Sequence, residues 1–359
     1  MKYIFCYTVN LSSVSVYFQT LCNQLSQRGH DVTVMTDRNI KDRCLLEDSV
    51  KMFDWPSVRP VKFADFRFFF RLVRSMRPDV ICANFGSVNI SMIVGFLCRI
   101  RARIAWYHTT TEQIKLDNKI TFRSKLLNIR KRFVYKLTTH IFTNSDHTID
   151  DCSKECGVPL KKIKKTLLLL NPPNIVQQEK ITNQICFVGR LAESKGQRDL
   201  IHALPKIAKK YSDTRVLFLG DGIIREELIN LAKQHEVLEY CDFKGNVPIG
   251  DVYKILASSY ISVSASRSEA FGLVNAESIA VGTPVITTGV GGISESIKDG
   301  INGFYFAPEN HEQLADLIIK VFEDKMLYEK LSKNSIDFFN DKFSLEKNIG
   351  KTVEVYESL

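Results

Sequence analysis

The sequence predicts an α/β protein built from two Rossmann-like domains, and three observations predict it. Short apolar, β-rich runs alternate with helical stretches along the 359 residues, the pattern of a parallel sheet covered on both faces. The alternation stops at "LLLLNPPN", where Pro172 and Pro173 cannot continue a regular element, and then restarts over a similar length. The charge changes sign at the same point: residues 1–170 hold 28 Lys and Arg against 14 Asp and Glu, and the remaining residues carry −5 of the total +9.

In the first array, "YIFCYTV" is followed by a helical pattern through "VYFQTLCNQLSQRG", with Gly29 at its end. The strands "HDVTVMT", "DVICANF", "RIAWYHT" and "HIFTNS" come next, with helical segments between. The second array reads "QICFVGR", "TRVLFLG", "CDFKG", "YISVSAS", "TPVITTG" and "GFYFA". Helices are expected near 312–322 and 325–339, and the amphipathic "SLEKNIGKTVEVYESL" closes the chain. The domains are therefore placed at 1–171 and 172–343, with a terminal helix at 344–359. Sheets of this kind bind ligands outside the carboxyl ends of their strands, so two facing domains would share a cleft there.

Composition narrows the function. No apolar run reaches the roughly 18–20 residues that span a bilayer, and "MKYIFCYTVN" reads as a first strand without a signal-peptide pattern. Nine scattered cysteines, with no histidine cluster beside Cys152 and Cys156, read as reduced cytosolic residues. The expected location is cytoplasmic, peripheral to the inner face of the membrane. The basic first half asks for an anionic partner. It lacks the aromatic interleaving of single-strand platforms, so nucleic acid is not expected. "FRSKLLNIRKRFVYKL" and "FRFFFRLVRSMR" mix basic and apolar residues, which suits an anionic membrane surface; the plainer reading is two core helices with solvated basic faces.

The chemistry collects at strand exits of the second domain. "FVGRLAESKG" puts Arg190 and Lys195 just after a strand, and two cations there suit a diphosphate. "FLGDG" supplies Gly220 and Gly222, and "TGVGGISE" adds further glycines. In "SRSEAFGLVNAESIAVGTPVI", Glu269 precedes a helix and Glu277 lies inside it. The free N–H groups of that helix suit a phosphate. Glu277 would reach a ribose beside it, and Glu269 a sugar on the far side. The plain alternative makes Glu269 a helix cap and Glu277 a surface residue. The segment around Glu277 is small and apolar, which argues for burial.

These runs resemble the E-x7-E motif and phosphate-binding segment of retaining glycosyltransferases of the GT-B fold, family 4. The resemblance covers almost the whole chain. It implies a hexosyl transfer from a nucleoside diphosphate sugar to an acceptor hydroxyl, with retention, on a lipid-linked or glycan acceptor. Arg190 and Lys195 would hold the pyrophosphate, Glu277 the ribose and Glu269 the transferred sugar. The amides of Phe271, Gly272 and Leu273 would meet phosphate and sugar, with Gly220 alongside. His108, in "AWYHTT", would lie near the sugar. No metal or other cofactor is implied, and no D-x-D stands at a strand exit. A nucleotide-sugar epimerase on the same fold is the alternative. The family's glycine-rich loop after the first strand is replaced by "TVNLSSVSVYFQ", with Ser12, Ser13 and Ser15 in place of glycines. Those hydroxyls and the following helix start offer another way to bind an anion. The donor base, among UDP, GDP and ADP, is left open.

Overall fold

The computed structural model describes residues 1–37, 45–58, 60–117, 122–173 and 178–359, with side chains of the fifth helix described from residue 126 onward. The chain divides into two units. The first comprises Met1–Thr111, Ile120–Asn171 and Leu345–Leu359; the second takes in Glu112–Lys119 and Pro172–Ser344.

The first unit runs β1 (Lys2–Cys6), α1 (Ser13–Gln27), β2 (Asp31–Thr36), β3 (Lys51–Asp54), α2 (Phe63–Met76), β4 (Val80–Ala83), α3 (Val88–Leu97) and β5 (Ala102–Tyr107). The chain then passes through α4 (Thr111–Asp117), which belongs to the second unit from Glu112 onward, and the first unit resumes with α5 (Phe122–Lys136), β6 (His140–Thr143), α6 (Asp146–Cys156) and β7 (Ile163–Lys165). Its strands pair in parallel in the order β3-β2-β1-β4-β5-β6-β7. Helices cover both faces, so central strands such as "VICA" of β4 are buried along their whole length.

The second unit follows as β8 (Ile181–Val188), α7 (Gln197–Lys210), β9 (Arg215–Leu219), α8 (Arg225–Gln234), β10 (Cys241–Gly245), α9 (Ile249–Ser258) and β11 (Ser259–Ser264). It continues with α10 (Leu273–Ala280), β12 (Val285–Thr287), α11 (Ile293–Ser296), β13 (Gly303–Tyr305), α12 (His311–Glu323) and α13 (Lys325–Lys342). The sheet is again parallel, in the order β10-β9-β8-β11-β12-β13. Ile185, Phe187, Phe218, Ile261 and Val263 centre its core, each contributing about 1.5–3 kcal/mol by burial.

The last helix, α14 (Leu345–Glu357), belongs to the first unit. Tyr356 is fully buried there. Its hydroxyl accepts from Trp106 Nε1 at 3.0 Å, its carbonyl accepts from the Tyr3 hydroxyl at 3.2 Å, and its ring meets Phe142 edge-on. Glu357 pairs with Arg28 and His30, each at 2.9 Å. Among the described residues, no helix is long and apolar enough to cross a membrane.

Candidate active site

In the second unit, backbone packs directly on backbone at the strand exits. Gly196 ends the loop after β8 at φ 68°, and a Cβ there would lie 2.1 Å from the Ala265 carbonyl oxygen. A Cβ on Gly220 would lie 2.2 Å from the Gly189 carbonyl oxygen. These loops are further tied by Gly189 N–H to the Leu219 carbonyl and Leu191 N–H to the Asp221 carbonyl, at 2.9 and 3.0 Å. Gly220 thus locks two loops together, a task that excludes a side chain before any ligand is considered.

This frame carries paired charges. Lys195 Nζ donates to Glu269 Oε2 at 2.5 Å, and Ser266 Oγ donates to the same oxygen at 3.3 Å. Both members of the ion pair are largely buried, at 19% and 14% exposure. Arg267 grips Asp199 with two hydrogen bonds of 2.5 and 2.8 Å, and that carboxylate raises its guanidinium's pKa. Arg190 is mostly exposed and pairs with the buried Asp117, which also accepts the Ser194 amide at 3.2 Å. Sequence reading missed Asp117, Asp199 and Arg267.

α10 starts at Gly272, φ 80°, without a side-chain cap, so Glu269 does not cap it. The Asn275 amide already bonds the Gly272 carbonyl at 2.9 Å, and the amides of Leu273 and Val274 are the first-turn donors left for another partner. Phe271 is buried edge-on against Phe343 at 5.4 Å and steadies the turn. Glu277 is buried at 6% exposure, not a surface residue. Beside it, Asn275 is fully buried, and neither side-chain polar atom has a hydrogen-bond partner among the described residues. That orphaned amide, absent from the sequence reading, becomes visible only once burial is known.

The first unit builds its strand exits differently. A cavity of about 390 Å³ opens there, lined by Tyr7, Thr8, Asp37, Asn84 and Phe85 among others. His108 Nε2 donates to Asn84 Oδ1 at 2.7 Å. Its ring stacks between Trp106 and Phe85, with centroids 5.3 and 4.5 Å away. Burial lowers its pKa to about 3, so it is neutral at physiological pH and keeps Nδ1 as an acceptor. Phe85 holds φ 48° although bulky and 58% exposed, a strained backbone of the kind found at binding sites.

The serine loop after β1 is occupied with itself. Ser12 caps α1 by accepting the Ser15 amide at 3.4 Å. Ser15 Oγ accepts from the Asn10 amide and Gln19 Nε2, at 2.9 and 3.2 Å. Ser145 caps α6 by accepting the Thr148 amide at 3.1 Å. On the outer helices, Phe63 of α2 and Leu126, Ile129 and Phe133 of α5 are exposed beside Arg130 and Arg132. The side chains of Phe122, Arg123 and Lys125 lie outside those described.

Both units match known families. Residues 173–338 match the glycosyl transferases group 1, and residues 14–164 match Glycosyltransferase Family 4. An uncharacterized glycosyltransferase of Methanocaldococcus jannaschii is 34% identical over 173 residues, 48% of this chain and 44% of that relative. The chain thus spans less than half of the relative's length. Sucrose-phosphate synthase from Thermosynechococcus elongatus shares the fold, with a TM-score of 0.82 at 16% identity over 100% of this chain and 98% of that one. Anabaena HepE, in complex with UDP and glucose, shares it with a TM-score of 0.79 at 18% identity over the whole of both chains. With one profile in each unit and this two-sheet architecture, the chain belongs to the GT-B glycosyltransferases.

Proposed function

We propose that the protein moves a hexosyl group from a UDP-sugar to an acceptor hydroxyl with retention at the anomeric carbon. The observation that carries this reading is the mostly buried Lys195–Glu269 pair just ahead of the uncapped start of α10. Lys195, Arg190 and the first-turn amides of α10 would offset the charge of the departing diphosphate. Glu277 would hold ribose hydroxyls and Glu269 the transferred sugar. Anabaena HepE, which holds UDP and glucose on the same fold, supports uracil as the base. Neutral His108 and the rings at the first unit's exits offer stacking and hydrogen bonds suited to sugar hydroxyls. The acceptor hydroxyl would attack on the face that the phosphate leaves, with a phosphate oxygen as its base. The exposed apolar and basic residues of α2 and α5 would hold the protein to an anionic cytoplasmic leaflet carrying a lipid-linked acceptor.

The test offers UDP-, GDP- and ADP-hexoses with a lipid extract, identifies the product by mass spectrometry and reads its anomeric configuration by NMR. A lipid product gaining one hexose from a UDP donor, with the donor's configuration, is expected. An epimerised sugar formed from donor alone, with no acceptor consumed, would overturn the reading in favour of an epimerase.

A further inference from the structure

A cavity of about 560 Å³ opens on the first unit, lined by Arg74, Arg77, Arg99 and Arg101 with Phe70 and Leu97 among its apolar walls. Asp79 and Arg101, also in its wall, directly precede β4 and β5. The cavity therefore lies at the amino ends of these parallel strands. Asn84, which lines the cavity at the carboxyl ends, follows β4. The four residues of β4 separate the two places by roughly 13 Å at about 3.3 Å per residue.

The arginines are not needed to close the helices. At the end of α2, the Arg77 amide bonds to the Val73 carbonyl at 2.9 Å; at the end of α3, the Ile100 amide bonds to the Gly95 carbonyl at 2.9 Å. Backbone amides thus already serve these helix ends. Arg77 and Arg99 stand at φ 48° and 55°, left-handed positions where glycine or asparagine is usual. Two long cationic side chains stand there against the backbone preference.

The lining sets these four arginines against a single acid, Asp79. No described carboxylate pairs with any of the four. The acid in the wall, Asp79, accepts the Lys2 amide at 2.7 Å, and Arg74 lies over the Phe70 ring. Four cations against one acid leave an excess of positive charge around one concavity, and an anion seated among them relieves that repulsion. Guanidinium forks match pairs of phosphate oxygens. We infer that this cavity is a phosphate-binding site, separate from the strand exits, that takes a phosphate group either free or carried by a lipid. Phe96 and Leu97, exposed at 51% and 55%, place an apolar surface beside it that a lipid phosphate would use.

Glycine supplies the test because it fits both left-handed positions. The full-length Arg77→Gly/Arg99→Gly variant is expected to melt no lower than wild type. Titrated calorimetrically with inorganic pyrophosphate, it should lose one class of sites, at least tenfold in affinity, whatever the second unit binds. Arg74→Gln/Arg101→Gln should show the same loss, which covers the case of a glycine variant that folds poorly. Sedimentation with phosphatidylcholine vesicles, with and without phosphatidic acid, separates the sources. Joint loss of pyrophosphate and phosphatidic acid binding assigns a lipid phosphate; loss of pyrophosphate binding alone assigns a soluble one. Variants that bind both probes as wild type does, or a wild type that binds neither at low salt, would overturn the site.

Discussion

The strand exits of the two sheets use different chemistry. In the second unit they carry paired charges: Lys195 with Glu269, Arg267 with Asp199 and Arg190 with Asp117. In the first they present mostly uncharged groups, Tyr7, Asn84, Phe85 and a histidine held neutral by burial, with Asp37, which accepts from the Thr8 hydroxyl, and Arg130 as the charged members of the lining. The same edge of a parallel sheet thus carries three ion pairs in one unit and a mostly aromatic and amide lining in the other. The fold sets where a ligand sits, and the loops decide its class.

The sharpest break of this comparison comes at Glu269. Glu269→Gln keeps the shape and removes the charge, and turnover should fall about 10²–10³-fold while UDP affinity stays within a few-fold. Glu269→Ala should also unfold earlier, by up to about 3 kcal/mol, because Lys195 would be left mostly buried without its partner. A glutamine variant that loses UDP binding instead would move Glu269 to the nucleotide.

Lys195 and Arg190 stand at the same strand exit but are not equivalent. Lys195 is largely buried, whereas Arg190 is 59% exposed and already faces Asp117. Lys195→Ala should slow the reaction about 10²–10³-fold and Arg190→Ala about tenfold. Equal losses in single-turnover rates would show that Asp117 leaves Arg190 when donor binds. The wild-type rate should survive EDTA. Loss on chelation, restored by magnesium or manganese, would show that a metal carries the leaving-group charge.

Most strands were legible through burial, although β10 was read with none of its residues fully buried. The six runs read in the second array correspond to β8–β13. In the first sheet, β3 ("KMFD") and β7 ("IKK") escaped notice because they are short, polar edge strands with little buried surface. Glu277 drew attention because a carboxylate in a small, apolar helix implies burial, and it is buried. The charge partners were not legible. Glu269 lies 74 residues from Lys195 and Asp117 lies 73 from Arg190; packing joins them, not periodicity. The serines after β1 were read as hydroxyls for an anion, but the local turn consumes those of Ser12 and Ser15.

Glu277→Ala should weaken UDP binding by about 1.5–3 kcal/mol, the worth of a hydrogen bond to a charged group. Calorimetry with UDP checks this, and unchanged affinity would remove the ribose role. At the first unit's exits the corresponding test is pH. His108 stays unprotonated in the native protein down to about pH 3, whereas an unfolded histidine takes a proton near 6.5. Between those values the unfolded state binds more protons, so stability falls as pH falls, by about 1.4 kcal/mol per pH unit for this one group. His108→Gln should flatten the slope by that amount in urea unfolding between pH 4 and 6. An unchanged slope would mean that His108 titrates normally.

The smallest effect is expected at Ser15, and it separates the two loops that follow the first strand of each unit. The loop after β8 holds Arg190 and Lys195, whose charges reach beyond the loop itself. The loop after β1 turns inward: Ser15, 2% exposed, accepts from the Asn10 amide and Gln19 Nε2. Gln19 Nε2 keeps a second partner in the Asn10 carbonyl at 2.9 Å, and the Asn10 amide lies near solvent, so neither donor is left stranded by the loss of the hydroxyl. Ser15→Ala should therefore destabilise the protein by about 1 kcal/mol, a Tm lower by roughly 2–4 °C in a domain of this size. UDP affinity should remain within twofold of wild type. A tenfold loss of UDP binding at unchanged Tm would show that the serine loop contacts the donor, and the contrast between the two sets of exits would then fail at its first strand.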